Sequence, residues 1–187
     1  MATVRPRSRS RRARDSGQVD RSRAVVAWRF WGVGVDDALR ARLRSPYRDT
    51  LWEPGEPFVA RCLSPQLTLG PAGHRHQAPD PHCRCGAYGG TYRDLRAFLG
   101  THLARPAEAP VLGRVELWGT VLVEHTSWRS SFAYPERLLV PTFVPGAYTV
   151  AEELQAYGVP VGILDVRDMF AALHPAGHAP FTPSGKD

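Results

Sequence analysis

Two of the three cysteines and two of the seven histidines of this 187-residue chain fall inside residues 76–86, HQAPDPHCRCG. They belong to a long stretch, residues 64–90, without periodicity, and a loop of that length is unusual in a compact domain unless something such as a metal ties it down. The third cysteine, Cys62, closes a short apolar run upstream. Three thiolates and one imidazole are the donor set of a closed tetrahedral zinc site. The favoured ligands are Cys62, His76, Cys83 and Cys85, with His74 and His82 competing for the imidazole position. Pro81 holds His82 in an extended segment, whereas His76 has enough loop to swing inward. Cys83 and Cys85 lie closer together than the pair of a usual zinc knuckle, and Gly86 permits the sharp turn this needs, because glycine tolerates positive φ. Two plainer readings compete with the metal. Free cysteines often serve as small core residues, and Cys83 and Cys85 could oxidise, although so small a ring is strained.

The net charge of +6 is confined to one end of the chain. Residues 1–23 carry eight arginines and two aspartates, so 8 − 2 leaves the whole excess there, and the remaining basic and acidic residues balance. Rich in Arg, Ser and Pro and without aromatics, this tail cannot bury enough surface to fold. Arg5, Arg7, Arg9, Arg11, Arg12 and Arg14 are candidates for phosphate contact, which would make nucleic-acid binding salt-dependent; a solvated tail is the plainer alternative. Apolar stretches end well before the ~20 residues a membrane helix requires. A polar segment follows the basic start where a secretory signal would be apolar. The expectation is a cytoplasmic protein without a membrane partner, in a compartment that keeps thiols reduced.

Order should begin at Ala24. Residues 25–33 are aromatic and β-branched and predict a strand, with Arg29 opposite Trp28. Residues 36–43 suggest one or two helical turns, 52–57 a Pro/Gly turn and 58–63 a short strand. Residues 64–90, rich in Pro and Gly, form a long loop carrying the metal candidates. Thr91 and Asp94 suggest a capping box opening a helix over 92–104. The clearest strand spans 111–123, with Val115, Leu117, Val121 and Val123 on one face, Trp118 on the other, and a bulge at Gly119. Residues 128–134 predict its antiparallel partner, ended by Pro135. Thr149 and Glu152 suggest a second capping box for a helix over 150–157, closed by Gly158, and Asp165 a last helix over 166–173. Trp28, Trp31, Trp118 and Trp128 fall on strands and predict core, whereas Trp52, in a turn, is the candidate for a recognition surface.

His76-x-Ala78-Pro79, Cys83-x-Cys85-Gly86-x-Tyr88, Leu117-Trp118-Gly119-x-Val121 with Glu124-His125, Trp128-Arg129 and Ala133-Tyr134-Pro135 together resemble blocks shared by a set of small uncharacterised actinobacterial proteins. The likeness covers about residues 24–160 and excludes the arginine tail. It implies the metal ligands and a single domain, and no activity.

Little else points to chemistry. Glu124 and His125 could form a base pair, but neighbours in a strand face opposite ways, so a hairpin-end pair is the simpler reading. The chain has no Gly-rich phosphate loop and no hydrolase or metalloprotease motif. These observations predict one α+β domain over 24–175, an antiparallel sheet with two or three short helices and a zinc-pinned loop over 62–90. A flexible end would follow over 176–187. The expected function is a zinc-stabilised, non-catalytic binding or adaptor module for an unknown protein partner. The alternatives are a nucleic-acid-associated protein using the tail and a sheet face, and a metal-dependent enzyme using Glu124 or His125.

Overall fold

The computed structural model describes residues 21, 23–48, 50–62, 76–95, 97 and 110–165. The expected tail, including Arg5 through Arg14, the last helix over 166–173 and the end over 176–187 lie outside the described residues, as does His74.

Among the described residues, seven strands form one sheet: β1 (Val25–Val35), β2 (Ala41–Arg44), β3 (Phe58–Val59), β4 (Ala87–Gly90), β5 (Pro110–Glu124), β6 (Ser127–Pro141) and β7 (Val161–Leu164). Two of them, β5 and β6, are 15 residues long and form a bent hairpin. The bend arises from two register shifts, at Arg114/Val115 and at Trp118/Val121. Gly119 sits at the second with φ of 78°, where the sequence places a bulge. An extra residue on one strand increases local twist and bends the strand beyond it. The first half of β5 therefore pairs with β1, while the start of β6 pairs with β4, and Trp28 of β1 meets Gly90 of β4. The circuit β1–β5–β6–β4–β1 is thus a closed ring of paired strands.

β6 is the hub. One of its edges is occupied by β5; along the other lie β4, then β3, then β7. β7 runs parallel to β6, so the sheet is mixed and not the wholly antiparallel one expected. Parallel neighbours need a crossover, and the helix α1 (Ala147–Leu154) with its 3-10 extension Gln155–Tyr157 supplies it.

Several local expectations are corrected. The stretch 36–43 forms a turn and β2, not helix. Asp36 Oδ1 accepts hydrogen bonds from the Ala38 and Arg40 N–H groups at 2.9 and 3.0 Å, the competition by which a short carboxylate turns a backbone. The loop 64–90 ends in a strand, β4. α1 starts at Ala147 behind Gly146 with no side-chain cap, so the Thr149–Glu152 box is unused, although Gly158 does take the left-handed closing position, φ 68°. Pro135 lies within β6, opposite Val115 at the register shift, where a missing N–H is tolerated. The Thr91–Asp94 box is formed: Thr91 Oγ1 donates to Asp94 Oδ2 at 2.6 Å and Asp94 N–H donates back at 3.3 Å, opening a helical turn over 92–95.

The core is assembled from Trp31, Leu43, Val111, Val115, Leu117, Leu138, Val140 and Leu154, all sealed from solvent. Trp52 belongs to it and not to a recognition surface. Its ring stacks on Phe58 at 4.6 Å and meets Trp31 edge-on at 5.6 Å, and its Nε1–H donates to Ser45 Oγ at 3.0 Å. Trp118 is buried as expected, but Val123, beyond the bulge, is 71% exposed.

Tyr157 joins the crossover to this core. Its hydroxyl donates to the Trp52 carbonyl and accepts from the Leu43 N–H at 3.0 Å. Burial pushes its pKa from 10.0 to about 12. Because the folded value lies above the unfolded one, this group's contribution to stability is complete below pH 10 and is lost as the pH rises towards 12. Tyr157→Phe would leave two buried backbone groups unpaired and is expected to cost about 1–3 kcal/mol at neutral pH. Urea unfolding of both proteins at pH 7 and pH 11 checks this; a variant as stable as wild type at pH 7 would refute it.

Candidate metal centre

The site is built where two strands share one edge of β6. β3 pairs with β6 at Ala133 and Phe132, and Ala60 N–H continues this to the Ser131 carbonyl at 2.8 Å. β4 takes over at once, Ala87 opposite Ser130. The chain therefore leaves β6 and returns to it at adjacent positions. Cys62 lies just past the departure and Cys83 and Cys85 just before the return.

Cys62, His76, Cys83 and Cys85 each present one ligand atom, and these four atoms all lie within 4.8 Å of one another. Cys62 Sγ is 3.6 Å from Cys83 Sγ, and Cys85 Sγ is 3.4 Å from His76 Nε2. A disulfide requires about 2.05 Å, so all three are free thiols. A tetrahedron with metal–sulfur bonds near 2.3 Å and a metal–nitrogen bond near 2.0–2.1 Å has edges of about 3.5–3.8 Å. The Cys62–Cys83 and Cys85–His76 separations are close to that size, and the arrangement can hold a metal ion. Cys83 and Cys85 are buried while Arg84 between them is exposed, so both thiols face inward as the chain leaves the turn at 81–83. Gly86 comes next with φ of 131°, and a Cβ there would stand 3.0 Å from Arg129 Cβ and 3.2 Å from Pro79 Cβ. Cys83 N–H donates to the Asp80 carbonyl at 3.1 Å. His82 is exposed on this turn, its backbone N–H donating to Asp80 Oδ1, and it is not part of the cluster. Burial, with the neighbouring Cys83 thiol contributing, pushes the Cys85 pKa up to about 11.

A residue with no assigned role in the sequence holds this loop. The Arg129 side chain, 4% exposed, reaches from β6 under the cysteines. Its Nη1 donates to the Cys83 carbonyl, to the Cys85 carbonyl at 2.9 Å and to the Asp80 carbonyl at 3.3 Å. Its Nε donates to Glu124 Oε1 at 2.7 Å and its Nη2 completes the ion pair with the same oxygen. The charge is thus compensated while the guanidinium organises three carbonyls of the loop. Glu124 is occupied by this pairing, and His125, at φ 43°, occupies the exposed hairpin turn. An arginine inside the strand expected over 128–134, next to Trp128, is the signal that could have exposed this role.

No family model, curated protein or solved structure matches the chain. Among the described residues, no helix is long and apolar enough to cross a membrane.

Proposed function

We propose that the chain is a zinc-stabilised, non-catalytic binding or adaptor module. The observation that carries this reading is the Cys62–His76–Cys83–Cys85 cluster, four soft or borderline donors in the proportions zinc favours in structural sites. With four protein ligands the tetrahedron is closed, so the ion ties β3 to β4 and keeps no position for substrate. The engagement of Glu124 by Arg129 weighs against the enzymatic alternative, because its Oε1 is already taken by two guanidinium N–H groups. Kinship with the small actinobacterial proteins, and nucleic-acid contact through residues 1–23, remain proposals beside this one.

Cobalt substitution tests the closed site. The expected result is the intense visible absorption of tetrahedral cobalt with thiolate charge-transfer bands, unchanged by azide or cyanide. A spectrum that shifts on adding either anion would reveal an open coordination position and favour the enzymatic reading.

A further inference from the structure

The three thiols of the centre differ in what can reach them. Cys83 and Cys85 are 7% and 9% exposed, whereas Cys62 is only half-buried. All three line one cleft, together with Trp52, Phe58 and Arg84. Cys62 is therefore the thiol most open to a small solute. Its sulfur already touches a second one, Cys83 Sγ at 3.6 Å, while Cys85 Sγ has His76 Nε2 at 3.4 Å. An accessible cysteine with another thiol poised beside it is the arrangement of a redox-sensing pair. Metal coordination strengthens this, since a coordinating thiol is held as the thiolate, the nucleophilic form.

The backbone on both sides of this pair is fixed to β6. Cys62 follows Ala60, whose N–H donates to the Ser131 carbonyl at 2.8 Å. The Cys83 carbonyl accepts from the Arg129 guanidinium. Joining the two sulfurs needs a closure from 3.6 Å to about 2.05 Å, a shift that side-chain rotation can share between the partners. Cys83 and Cys85, one residue apart, would close a far more strained ring. A bond from Cys62 to Cys83 also spans the junction that the ion spans, from the end of β3 to the approach to β4. The tie between these strands would thus outlast the ion.

We propose that Cys62 and Cys83 form a reversible oxidation site, at which a small peroxide replaces the metal tie by a disulfide. This rests on the zinc reading and adds a regulation of the same centre. The Cys62 thiolate attacks one peroxide oxygen: an S–O bond forms, the O–O bond breaks, and the departing hydroxide takes up a proton and leaves as water. The Cys83 thiolate then attacks the Cys62 sulfur. An S–S bond forms, the S–O bond breaks, and the second hydroxide is protonated to water. Two thiolates lose two electrons in all, one peroxide becomes two waters, and two protons are consumed. Only Cys85 and His76 remain to hold the ion, which is released. A dithiol reductant returns the two electrons and restores the ligand set.

The test treats the zinc-loaded full chain with hydrogen peroxide. Released zinc is followed with a chromophoric chelator, free thiols with a colorimetric reagent, and the new bond by tryptic digestion without reductant and mass spectrometry. Trypsin cuts after Arg61, Arg75 and Arg84, so each cysteine falls in its own peptide and the three possible pairings have different masses. The expected result is one zinc released for every two thiols lost, one thiol still titratable, and a Cys62–Cys83 peptide pair. Reductant with zinc should restore the starting state. The oxidised protein should melt about 5–10 °C above reduced protein stripped by chelator, because the cross-link restricts the unfolded chain. Cys62→Ser should remove the bond and leave Cys83 reduced; should that variant fail to fold, the mapping on wild type decides alone. Three results would overturn the proposal: thiols of the loaded protein that survive peroxide, a disulfide that uses Cys85, or Cys62 driven to sulfinic or sulfonic acid with no disulfide. Zinc content is read before oxidant is added. Protein that takes up no zinc therefore fails the zinc reading, whereas loaded protein with surviving thiols fails this proposal alone.

Discussion

Cys83→Ser and Cys85→Ser are each expected to abolish the binding of one equivalent of zinc and to lower the melting temperature by about 10–20 °C. The size reflects what the ion joins. Cys83 and Cys85 are buried in the main hydrophobic cluster with Trp31, Trp52 and Leu117. Loss of the metal therefore frees a loop and also leaves core thiols facing their neighbours across 3.4–3.6 Å gaps without the bond that organises them. Thiols must be deprotonated to bind, and burial resists this at Cys85, whose pKa lies at about 11 without a metal. Metal uptake must then release protons, so affinity should fall as the pH drops, by roughly tenfold per unit for each proton displaced. Metal analysis of purified wild type and variants, followed by thermal scans with and without chelator, measures both effects. Wild type that is free of metal after reduction and zinc addition, or that melts identically with chelator, would remove the metal centre from the account.

Arg129→Ala is expected to be nearly as damaging, by a different route. The substitution leaves the Cys83 and Cys85 carbonyls without this donor, the Asp80 carbonyl with the Cys83 N–H, and Glu124 without its partner. Each buried carbonyl left without a donor typically costs about 1–3 kcal/mol, while the ion-pair share is small because the Glu124 left behind is 42% exposed. Outer-sphere groups that orient ligands are worth about 10–100-fold in metal affinity. Both losses should appear together, in unfolding midpoints and in competition with a chromophoric chelator. Arg129→Lys should recover little, because an ammonium lacks the planar fork that serves three carbonyls and a carboxylate at once. Glu124→Gln should do less harm, since the Glu124 side chain is 42% exposed and water can replace part of its role. An Arg129→Ala protein that binds zinc as tightly as wild type would mean that the guanidinium supports the fold and not the metal.

The regions legible in the sequence are those whose physics is local. β1 and the β5–β6 hairpin arise from β-branched and aromatic alternation around a turn, and the bulge at Gly119 from a glycine where a side chain would meet Phe132. The Thr91–Asp94 box and the closing Gly158 are likewise contacts between near neighbours. Misreadings arose where distant partners decide. Residues 36–43 carry a helix-compatible pattern, but β1 offers an unpaired edge and Asp36 turns the chain onto it. Trp52 sits among turn residues and looks exposed, yet the Trp31 and Phe58 rings enclose it.

The same division holds for the candidate centre. The sequence by itself determined the donor chemistry: three thiols, imidazoles within reach, and a glycine at the one backbone position beside them that requires positive φ. Tertiary structure alone decided that Cys62 meets Cys83 across 21 residues of chain, because β3 and β4 take consecutive places along one edge of β6. It also put Arg129 beneath the loop, left Arg29 without a counter-charge among the described residues and laid β7 parallel to β6. Residue type and short spacing set which atoms can bind a metal. Only pairing between strands far apart in the chain brings those atoms within one coordination sphere, because the backbone hydrogen bonds that align two edges carry no record in the local pattern of either strand.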